Sequence, residues 1–418
     1  MTNQTIRATY LIETAHPLEE AALVMAGEQS CGTFVRVPGE TDELRENFLA
    51  KIDHLEETGE VASPSLPGAK PPKHNQNAPT KRALVTLSWP LANVGVNLPN
   101  LMATVAGNLY ELSPFSGLKL LDLDLPEAFA EKYPGPQFGI GGTRQLTGVY
   151  DRPVIGTIIK PSVGLTPEAT AQQTQTLVEA GLDFLKDDEL MGDPPHSPFE
   201  QRVKEVMRVI NRHADKTGKK AMFAFNLSGD IDDMLRRHDF VLAQGGTCVM
   251  VSINHVGLSG VAKLRQHSQL PIHGHRNFWG ALSRSPVLGL EFAAYQKIWR
   301  LAGVDHLHTN GLRNKFCEPD ASVIAAIKAC LEPMFSGYQV MPVISSGQWA
   351  GQAVDTYHAI QSTDVMYVCG GGIVAHQGGV AAGVRSVIQG WDAALQGQSL
   401  EAYAQTHPEL KQALEQYG

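Results

Sequence analysis

The stretch VIGTIIKPSVGLTPEATAQQTQTLVEAGLDFLKDDE, residues 154–189, contains two β-rich runs separated by a helical segment. Thr166 and Pro167 suit the N-cap and the first position of that helix, and Gly181 suits the position just after its end. The second run is FLKDDE (184–189), in which a lysine and three acids follow apolar residues. The order strand, helix, strand predicts a βαβ unit, and its second strand ends in charge.

The same alternation of β-rich runs and helical segments continues to residue 372. The β-rich runs are VIGTIIK (154–160), FLKDDE (184–189), MFAFNLS (222–228), CVMVSI (248–253), PIHGHR (271–276), DHLHTN (305–310), MPVISSG (341–347) and VMYVCGGG (365–372). Eight such units over roughly 250 residues predict an α/β chain with a (β/α)8 TIM barrel, because right-handed crossovers close a parallel sheet of this kind. A doubly wound open sheet is the alternative, but no GxGxxG fingerprint follows the first strand.

Residues 1–145 are predicted to form a separate α+β (ferredoxin-like) domain, and residues 146–418 the barrel with its C-terminal helices. The N-terminal part contains one helical run, PLEEAALVMAGEQS (17–30). Its β-like runs are RATYLIET (7–14), TFVRV (33–37), ALVTLSWP (83–90) and ATVAGNLYEL (103–112). Residues 63–79 are rich in Pro, Asn and Lys and almost free of large apolar residues, which predicts a surface loop.

Composition and charge exclude several classes of partner. The net charge is −9, so neither a nucleic-acid backbone nor an anionic membrane surface would attract the chain on average. No apolar run has the length needed to span a bilayer, and the N-terminus lacks the apolar core of a signal peptide. The five cysteines are widely spaced and form no CxxC pair, which indicates free thiols. We therefore expect a cytoplasmic protein.

Polar residues follow the predicted strands at their C-terminal ends, where the active site of a (β/α)8 barrel lies. In strand order they are Lys160, then Lys186, Asp188 and Glu189, then Asn226, then His273, His275 and Arg276, then His306, His308 and Asn310, then Ser345 and Ser346, and finally Gly370–Gly372. Any one of these side chains alone could be an ordinary hydrogen-bonded residue. Functional groups at six of the eight strand ends instead predict a catalytic site.

The acids of FLKDDE predict a site for Mg²⁺, which prefers carboxylate oxygens over imidazole. Lys186 and Asp188 should share a face while Asp187 points the other way, because side chains alternate along a strand. An ammonium at Lys186 would compete with the metal. Lys186 therefore either pairs with the acids as an ion pair, or has its pKa lowered by burial and reacts with CO₂ to give a carbamate, a third oxygen ligand.

A glycine run after the last predicted strand suits a phosphate. In CGGG (369–372), followed by AHQGG, the backbone N–H groups are accessible in a loop before a helix, and phosphate sites recur at this place in barrels. Arg276 and His308 could serve a second anionic end of the substrate.

These motifs resemble the RuBisCO superfamily. GLDFLKDDE resembles its metal-binding motif, and the similarity extends along most of the chain through GTIIKPSVGL, FNLSGD, HGHR, HLHTN, VISSG and CGGG, with AGEQSCGTF and TVAGNLYEL in the N-terminal part. The resemblance implies that Lys186 is carbamylated and holds Mg²⁺ together with Asp188 and Glu189. It also implies that Lys160 is the proton-abstracting base.

The resemblance implies roles for further residues. Asn226 and Lys315 would lie near the reacting carbons, and His275 and His308 near the substrate. Arg276 and Ser346 would bind one phosphate or polar end of the substrate, and the other end would meet Thr33, Gly347, Gly370 and Gly371. Glu28 and Asn108 would complete the site of a neighbouring subunit, which implies a homodimer or a multiple of dimers.

Three departures from the family pattern argue against CO₂ fixation. Ser162 stands where carboxylases carry a second lysine, Phe34 replaces a tryptophan, and Gln348 replaces a glycine that contacts a phosphate. Ser162 removes a positive charge suited to CO₂ addition, and a side chain at Gln348 should intrude where a second phosphate would sit. The resemblance is therefore to a RuBisCO-like (form IV) protein.

A divalent ion that chelates a ketone stabilises an enediolate, which decarboxylation, carboxyl transfer, enolisation and isomerisation share. HGHR, HLHTN and Lys315 resemble the branch that acts on phosphorylated 3-oxo sugar acids in apiose breakdown. We therefore expect decarboxylation or transcarboxylation/hydrolysis of a phosphorylated keto sugar acid of the 3-oxo-isoapionate 4-phosphate type. The alternatives are a 2,3-diketo-5-methylthiopentyl-1-phosphate enolase or isomerase of methionine salvage, a zinc amidohydrolase-like barrel, and a non-catalytic regulator.

Overall fold

A computed structural model describes residues 4–32, 37–335 and 337–418. The chain divides into two compact units. The first comprises the described residues up to Pro134 together with Phe278–Leu301, and the second comprises Gly135–Asn277 and Ala302–Gly418. The domain boundary expected between residues 145 and 146 stays a prediction.

The regular elements are named in chain order. The strands are β1 (Thr5–Thr14), β2 (Lys51–Val61), β3 (Thr80–Pro90), β4 (Phe115–Asp124), β5 (Val154–Ile158), β6 (Phe184–Lys186), β7 (Met222–Asn226), β8 (Cys248–Ser252), β9 (Ile272–His275), β10 (Leu288–Leu290), β11 (His306–Asn310), β12 (Met341–Ser345) and β13 (Met366–Val368). The helices are α1 (Leu18–Glu28), α2 (Asp42–Phe48), α3 (Leu91–Val94), α4 (Leu98–Ala106), α5 (Ala128–Lys132), α6 (Gly139–Thr147), α7 (Pro167–Glu179), α8 (Phe199–Thr217), α9 (Ile231–Ala243), α10 (Ile253–His267), α11 (Trp279–Ser283), α12 (Phe292–Ala302), α13 (Asp320–Leu331), α14 (Ala353–Ile360), α15 (Gly371–Val374), α16 (Val380–Leu395), α17 (Leu400–Tyr403) and α18 (Pro408–Tyr417). Among the helices of the described residues, none is both long and apolar enough to cross a membrane.

The first unit is built on one sheet with the strand order β10-β4-β1-β3-β2. β1 lies antiparallel between β3 and β4, β2 is antiparallel to β3, and β10 is parallel to β4. Helix α1 packs against β2 and β3. Apart from the short helices, the order β1-α1-β2-β3-α4-β4 is that of a ferredoxin-like α+β fold, which confirms the predicted class.

The strand prediction for this unit is partly wrong. The run ATVAGNLYEL (103–112) forms the end of α4 and a 3₁₀ helix at Asn108–Glu111. The reason lies upstream, where the side chain of Asn97 accepts a hydrogen bond from the N–H of Asn100 and starts a helix that continues into the run. β2 was missed because most of its residues are exposed and few are apolar. The run TFVRV lies, except for Val37, outside the described residues.

Eight parallel strands of the second unit close into a barrel in the order β5-β6-β7-β8-β9-β11-β12-β13. Each lies within one of the eight predicted β-rich runs, so the (β/α)8 barrel is confirmed. Its interior is filled by apolar side chains from successive strands, among them Val154, Phe184, Met222, Met250 and Met341. The pairing is in register, with Ile158 opposite Lys186 and Asn310 opposite Ser345, so the carboxyl ends of the strands meet at one edge.

Helix α7 has the termini that the opening stretch predicts. The hydroxyl of Thr166 accepts a hydrogen bond from the N–H of Ala169 at 3.2 Å, and Pro167 is the first helical residue. Gly181 follows the helix with a φ of +90°, a left-handed conformation that costs glycine nothing. These caps fix where the chain leaves β5 and enters β6.

Two further predictions outside the strand–helix units are confirmed. Residues 63–79 contain neither helix nor strand and are mostly exposed. The C-terminal part forms α16, α17 and α18. Ala404, just after α17, and Leu410 of α18 pack with Ala350 in a small apolar cluster.

Candidate metal and substrate site at the barrel mouth

Four charged side chains meet at the ends of β5 and β6. The Nζ atom of Lys160 donates hydrogen bonds to Asp188 Oδ2 and to the hydroxyl of Ser162, both at 2.7 Å. The Nζ atom of Lys186 lies 3.5 Å from Glu189 Oε2, and the Lys186 side chain is fully buried. Two carboxylates and two amines therefore share one cluster, in which Lys186 and Asp188 are buried while Lys160 and Glu189 are partly exposed. The predicted convergence of Lys186, Asp188 and Glu189 is present.

Asp187 faces away from this cluster, as strand alternation predicts. Its carboxylate lies 3.3 Å from the guanidinium of Arg202 and accepts a hydrogen bond of 3.0 Å from the N–H of Asn226. The side-chain amide of Asn226 donates to the backbone carbonyls of Asp188 and Glu189, at 3.3 and 3.2 Å. These contacts fix the backbone of residues 187–189 on the side away from the cluster.

Burial and charge set the protonation states of the cluster. Burial lowers the pKa of Lys186, while the charges of Glu189 and Asp188 oppose this effect. Burial acts to raise the pKa of Asp188, but the hydrogen bond from Lys160 helps to bring it below its usual value. Burial also acts to raise the pKa of Glu189, but the interactions of its carboxylate with the proton-bearing side chains of His275 and Lys186 bring it below its usual value. Lys186 is therefore shifted towards the neutral amine, while the carboxylates are held ionised.

His275 joins the cluster from the end of β9. Its Nε2 lies 3.4 Å from Glu189 Oε2, and its Nδ1 accepts a hydrogen bond from the N–H of Asn277 at 3.3 Å. The proton of the neutral ring is therefore on Nε2, directed at Glu189. Burial, and then the charge of Lys186, lowers the pKa of His275 to about 4. The ring centroid of His308 lies 4.4 Å from that of His275.

His308 is the first of a column of three imidazoles, with His273 and His306, that continues into the barrel. Hydrogen bonds link Thr143 Oγ1 to His306 Nε2 (2.8 Å), His306 Nδ1 to His273 Nδ1 (3.3 Å), His273 Nε2 to His308 Nε2 (2.7 Å), and His308 Nδ1 to Ser345 Oγ (3.2 Å). Thr143 donates its own proton to a carbonyl of its helix, so it accepts from His306. It follows that His273 donates to His306, His308 donates to His273, and Ser345 donates to His308, so each ring carries a single proton. The column is neutral.

Arg276 and Ser346 are brought together by two residues between them. Arg276 Nη2 donates to Glu318 Oε2 at 3.0 Å, and Asn310 Nδ2 donates to the same oxygen at 2.6 Å. Ser346 Oγ donates to Asn310 Oδ1 at 2.7 Å. The side chains of Arg276 and Glu318 are only 6% and 13% exposed. The carboxylate of Glu318 is thus paired with the guanidinium of Arg276, which the sequence assigns to an anionic or polar end of the substrate.

The glycines assigned to the other end of the substrate differ in backbone conformation and in the space around them. Ser346 and Gly347 have φ values of +75° and +85°, so β12 ends in a left-handed turn that strains the serine. Apart from chain neighbours and the backbone of α15 itself, no described atom lies within 4 Å of a Cβ placed on Gly370 or Gly371. A Cβ on Gly372 would come within 2.6 Å of the loop after β12. Gly372 is therefore a packing requirement, while Gly370 and Gly371 border open space.

The remaining assigned residues make contacts of their own. Lys315 is exposed in the loop between β11 and α13, and its Nζ lies 5.2 Å from the ring centroid of Phe316. Glu28 and Asn108 are exposed in the first unit and lie 3.4 Å apart, from Oε1 to Nδ2. Thr33 lies outside the described residues, as does Phe34.

The expectation for the side chain of Gln348 is wrong. The side chain is buried, donates to the carbonyl of Leu312 at 3.1 Å and accepts from the hydroxyl of Tyr367 at 3.3 Å. It lies against Gly311, where any Cβ would come within 2.1 Å of it. Gln348 therefore turns into the protein and does not fill the space beside Gly347.

Two residues important to the site were not assigned a role from the sequence. Ser162 was noted only as a missing lysine, yet its hydroxyl accepts a hydrogen bond from Lys160. Glu318 lies eight residues beyond the end of β11, where an argument from strand ends does not reach. Its contact with Arg276 depends on the path of the loop, which no sequence signal indicates.

A separate group of possible metal ligands lies on α9 and α10. Ligand atoms of His238, Asp239 and His267 all lie within 4.8 Å of one another. Asp239 Oδ1 is hydrogen-bonded to His267 at 2.6 Å and to His238 at 3.0 Å, and His238 Nε2 accepts from the N–H of Gln269. These hydrogen bonds account for the proximity of the three side chains without an ion.

The family of the chain follows from models that match both of its parts. Residues 2–129 match the ribulose bisphosphate carboxylase large chain, N-terminal domain, and residues 139–417 match the catalytic domain of the same large chain. The chain belongs to the ribulose bisphosphate carboxylase (RuBisCO) large-chain family, and it is a RuBisCO-like member of it.

Particular relatives are similar over their whole lengths. A 3-oxo-isoapionate-4-phosphate transcarboxylase/hydrolase of Xanthobacter autotrophicus is 53% identical over 414 residues, which is 99% of each chain. A 3-oxo-isoapionate-4-phosphate decarboxylase of Rhizobium etli is 46% identical, covering 99% of this chain and 98% of the relative. The crystal structure of a RuBisCO-like protein from Burkholderia fungorum is 45% identical with a TM-score of 0.93, covering 99% of both chains.

Proposed function

We propose that this protein is an Mg²⁺-dependent enzyme that removes or transfers the carboxylate of a phosphorylated 3-oxo sugar acid of the 3-oxo-isoapionate 4-phosphate type, and that it does not fix CO₂. One observation carries the proposal. Lys186, Asp188 and Glu189 meet Lys160 in one cluster built around the buried Lys186, in a chain whose relatives are named for this chemistry. Breaking the bond to the carboxylate is the step that decarboxylation and transcarboxylation share.

Charge balance supports a divalent ion held with a carbamate. If Lys186 stays an ammonium, two lysines balance two carboxylates and no negative charge remains for a metal. If CO₂ adds to the neutral amine, three anions face the ammonium of Lys160, which leaves two negative charges for one Mg²⁺. The lowered pKa of Lys186 favours the neutral amine that this addition needs. Lys186, Asp188 and Glu189 would then hold the ion.

The remaining residues bind the substrate and move its protons. When bound, Mg²⁺ would polarise the ketone and stabilise the charge that develops as the carboxylate departs. Lys160 holds a proton at Nζ between Asp188 and Ser162, and we assign it the proton transfer at the reacting carbon. His275 offers Nε2–H to substrate oxygen. Asn226 acts by positioning, because its amide bonds the backbone of the two acids.

The two ends of the substrate would lie at different strand ends. We assign the phosphate to the backbone around Gly347, Gly370 and Gly371, where no described atom crowds the last two. His308, Arg276 and Ser346 would face the opposite end. The proposed role of Lys315 near the reacting carbons requires its side chain to leave Phe316 and turn inward.

We further propose that the enzyme is cytoplasmic and is a homodimer or a multiple of dimers. The cysteines of the described residues are all free thiols, which suits a reducing compartment. Glu28 and Asn108 are exposed and adjacent, as residues offered to a neighbouring subunit must be. Light scattering of the purified protein tests the assembly, and a monomer at micromolar concentration would contradict it.

The test of the reaction uses 3-oxo-isoapionate 4-phosphate with Mg²⁺ and bicarbonate. We expect turnover followed by NMR, with released CO₂ identifying a decarboxylase and a rearranged or hydrolysed product without it identifying a transcarboxylase/hydrolase. A parallel incubation with 2,3-diketo-5-methylthiopentyl-1-phosphate tests the enolase alternative. Turnover of the second compound alone would overturn the proposal, and turnover of neither would favour a non-catalytic protein. Metal analysis showing two tightly bound zinc ions would favour the amidohydrolase-like alternative.

A further inference from the structure

The carboxylate of Glu318 is built firmly into the Arg276 end of the site. Its Oε2 accepts from Arg276 at 3.0 Å and from Asn310 at 2.6 Å, and its Oε1 accepts from the hydroxyl of Ser322 at 2.9 Å. The arginine is 6% exposed and the glutamate 13%. Charge-assisted hydrogen bonds of this kind, out of contact with bulk water, are stronger than those between neutral groups.

This ion pair belongs to the mouth of the barrel and to the same site as the metal cluster. After burial and neighbouring charges, the charge of Arg276 also acts to lower the pKa of His308, whose ring centroid lies 4.4 Å from that of His275. The Nε2 of His275 in turn lies 3.4 Å from Glu189. Ser346, which bonds the same Asn310, directly follows Ser345, whose hydroxyl bonds His308. Ligand sites in (β/α)8 barrels are built from these strand ends. A guanidinium here would ordinarily bind an anionic group of the substrate.

We propose that Glu318 is a built-in counter-ion that makes the Arg276 end of the site reject a second phosphate and accept an uncharged hydroxyl end instead. This inference rests on the proposed function and names the substrate class for the same site, a monophosphate. Its phosphate lies at the Gly370 and Gly371 end. A hydroxyl at the Arg276 end can donate to the lone pairs that Glu318 keeps free.

The energetics favour rejection over displacement. A phosphate brought to Arg276 would lie beside the carboxylate of Glu318, and like charges in a poorly hydrated site repel strongly. To move aside, Glu318 would have to give up its hydrogen bonds to Arg276, Asn310 and Ser322 together. A hydroxyl requires neither repulsion nor displacement. Gln348 cannot supply this selectivity, because its side chain is turned into the protein.

The experiment compares the binding of a bisphosphate and a monophosphate to three variants of the full chain. Ribulose 1,5-bisphosphate and ribulose 5-phosphate are titrated calorimetrically, with Mg²⁺ and bicarbonate present, into the parent protein, Glu318→Gln and Glu318→Ala. Glu318→Gln keeps the size of the side chain and removes its charge. Asp355→Asn is the matched control, because Asp355 pairs with Arg313 of the same loop at 2.6 Å and is exposed.

We expect the parent protein and Asp355→Asn to bind the bisphosphate no more tightly than the monophosphate. In Glu318→Gln and Glu318→Ala the ratio of the two affinities should shift towards the bisphosphate by about tenfold to a hundredfold, as expected for one or two charge-assisted hydrogen bonds gained by the second phosphate. A parent protein that already prefers the bisphosphate tenfold overturns the proposal. So does an unchanged ratio in both Glu318 variants, with folding verified by circular dichroism.

The outcome is separable from the proposed reaction. Binding of the two probes needs no turnover, so a failure to process 3-oxo-isoapionate 4-phosphate leaves the affinity ratio interpretable. Conversely, turnover of that compound together with an unchanged ratio would refute the role of Glu318 alone.

Discussion

At the ends of β5 and β6, two carboxylates and two lysines share a partly buried cluster, called here the β6 cluster, whereas at the end of β9 one guanidinium is paired with one carboxylate. The first cluster contains Lys186, a buried amine with a lowered pKa 3.5 Å from Glu189. The second contains Arg276, whose guanidinium stays charged and forms an ion pair with Glu318, with 3.0 Å between Nη2 and Oε2. A lysine can change its charge by losing a proton or gaining CO₂, but an arginine cannot.

The difference indicates what each region can bind. The β6 cluster can gain negative charge at Lys186 and so create a place for a divalent ion. The β9 cluster is already neutral, and a new anion there would have to compete with Glu318. The same barrel edge therefore carries one region that is open to a charged ligand and one that is closed to it. The following predictions test this contrast, beginning with the largest expected effect.

Lys186→Ala should abolish activity, with a loss of at least about a thousandfold, because removing one metal ligand also removes the charge that retains the ion. Calorimetry should show weakened Mg²⁺ binding that no longer depends on bicarbonate. Lys204→Ala, an exposed lysine of α8, is the control and should behave as the parent protein. An active Lys186→Ala enzyme with unchanged Mg²⁺ binding would contradict the proposal that Lys186 is carbamylated and that this cluster binds a divalent ion through it.

Adjacent acids of the FLKDDE segment should respond in opposite ways to the same change. Asp187→Asn breaks a buried ion pair with Arg202, whose side chains are 2% and 0% exposed, so the free energy of unfolding should fall by about 3–5 kcal/mol. Asp188→Asn should leave stability less affected and remove Mg²⁺ binding. Urea unfolding and metal calorimetry on both variants measure the two quantities. Equal effects of the two substitutions on stability and on metal binding would contradict the assigned directions of the side chains.

The imidazoles between the two regions should make the fold sensitive to acid. Burial lowers the pKa of His306 to about 3, and burial with the charge of Lys186 lowers that of His275 to about 4. In the unfolded chain these histidines bind a proton as the pH falls through about 6.5, whereas in the folded chain they stay neutral. Their full contribution to the free energy of unfolding is therefore present above that pH. It should fall as the pH drops from about 6.5 towards 4, by up to about 1.4 kcal/mol per pH unit for each histidine.

Denaturant unfolding between pH 7.5 and about 4.5 measures this slope. His306→Gln should reduce it by close to one proton, while the exposed His54→Gln should not change it. A slope of zero through this window would show that the column accepts protons in the folded state, contrary to the neutral tautomers deduced from Thr143.

The barrel and the β6 cluster could be predicted because both depend on periodic, local signals. Each strand lies in a short β-rich run between helical segments, and side-chain alternation alone separates Asp187 from Asp188. The same reasoning failed for the run ATVAGNLYEL, where the Asn97 cap upstream starts a helix that overrides the β-like composition. Local composition is informative where the neighbouring signals agree with it.

The β9 cluster could be predicted only in part, because half of it comes from a loop. Arg276, Asn310 and Ser346 were predicted at strand ends, and Arg276 and Ser346 were expected at the same end of the substrate. Glu318 reaches them through a loop whose path depends on tertiary contacts, among them the hydrogen bond from Lys315 N–H to the carbonyl of Ser346. Gln348 shows the same limit, because its position could be read from the sequence but the direction of its side chain could not.

The smallest expected effect is at Ser162, and it tests how the β6 cluster holds Lys160. The Nζ of Lys160 has two acceptors, Asp188 Oδ2 and Ser162 Oγ, both at 2.7 Å, and its side chain is 40% exposed. Ser162→Ala removes the second acceptor, which is worth about 1 kcal/mol for a hydrogen bond of this kind. Because Ser162 positions Lys160 and is not assigned to bind substrate, the loss should appear in kcat, at about fivefold, with KM nearly unchanged. Ser162→Thr restores the hydroxyl and should recover most of kcat, whereas Val163→Ala, at an exposed neighbour, should have no effect. An increase in KM without a loss of kcat would mean that Ser162 contacts the substrate directly. The hydroxyl would then bind the substrate at the β6 cluster instead of positioning Lys160.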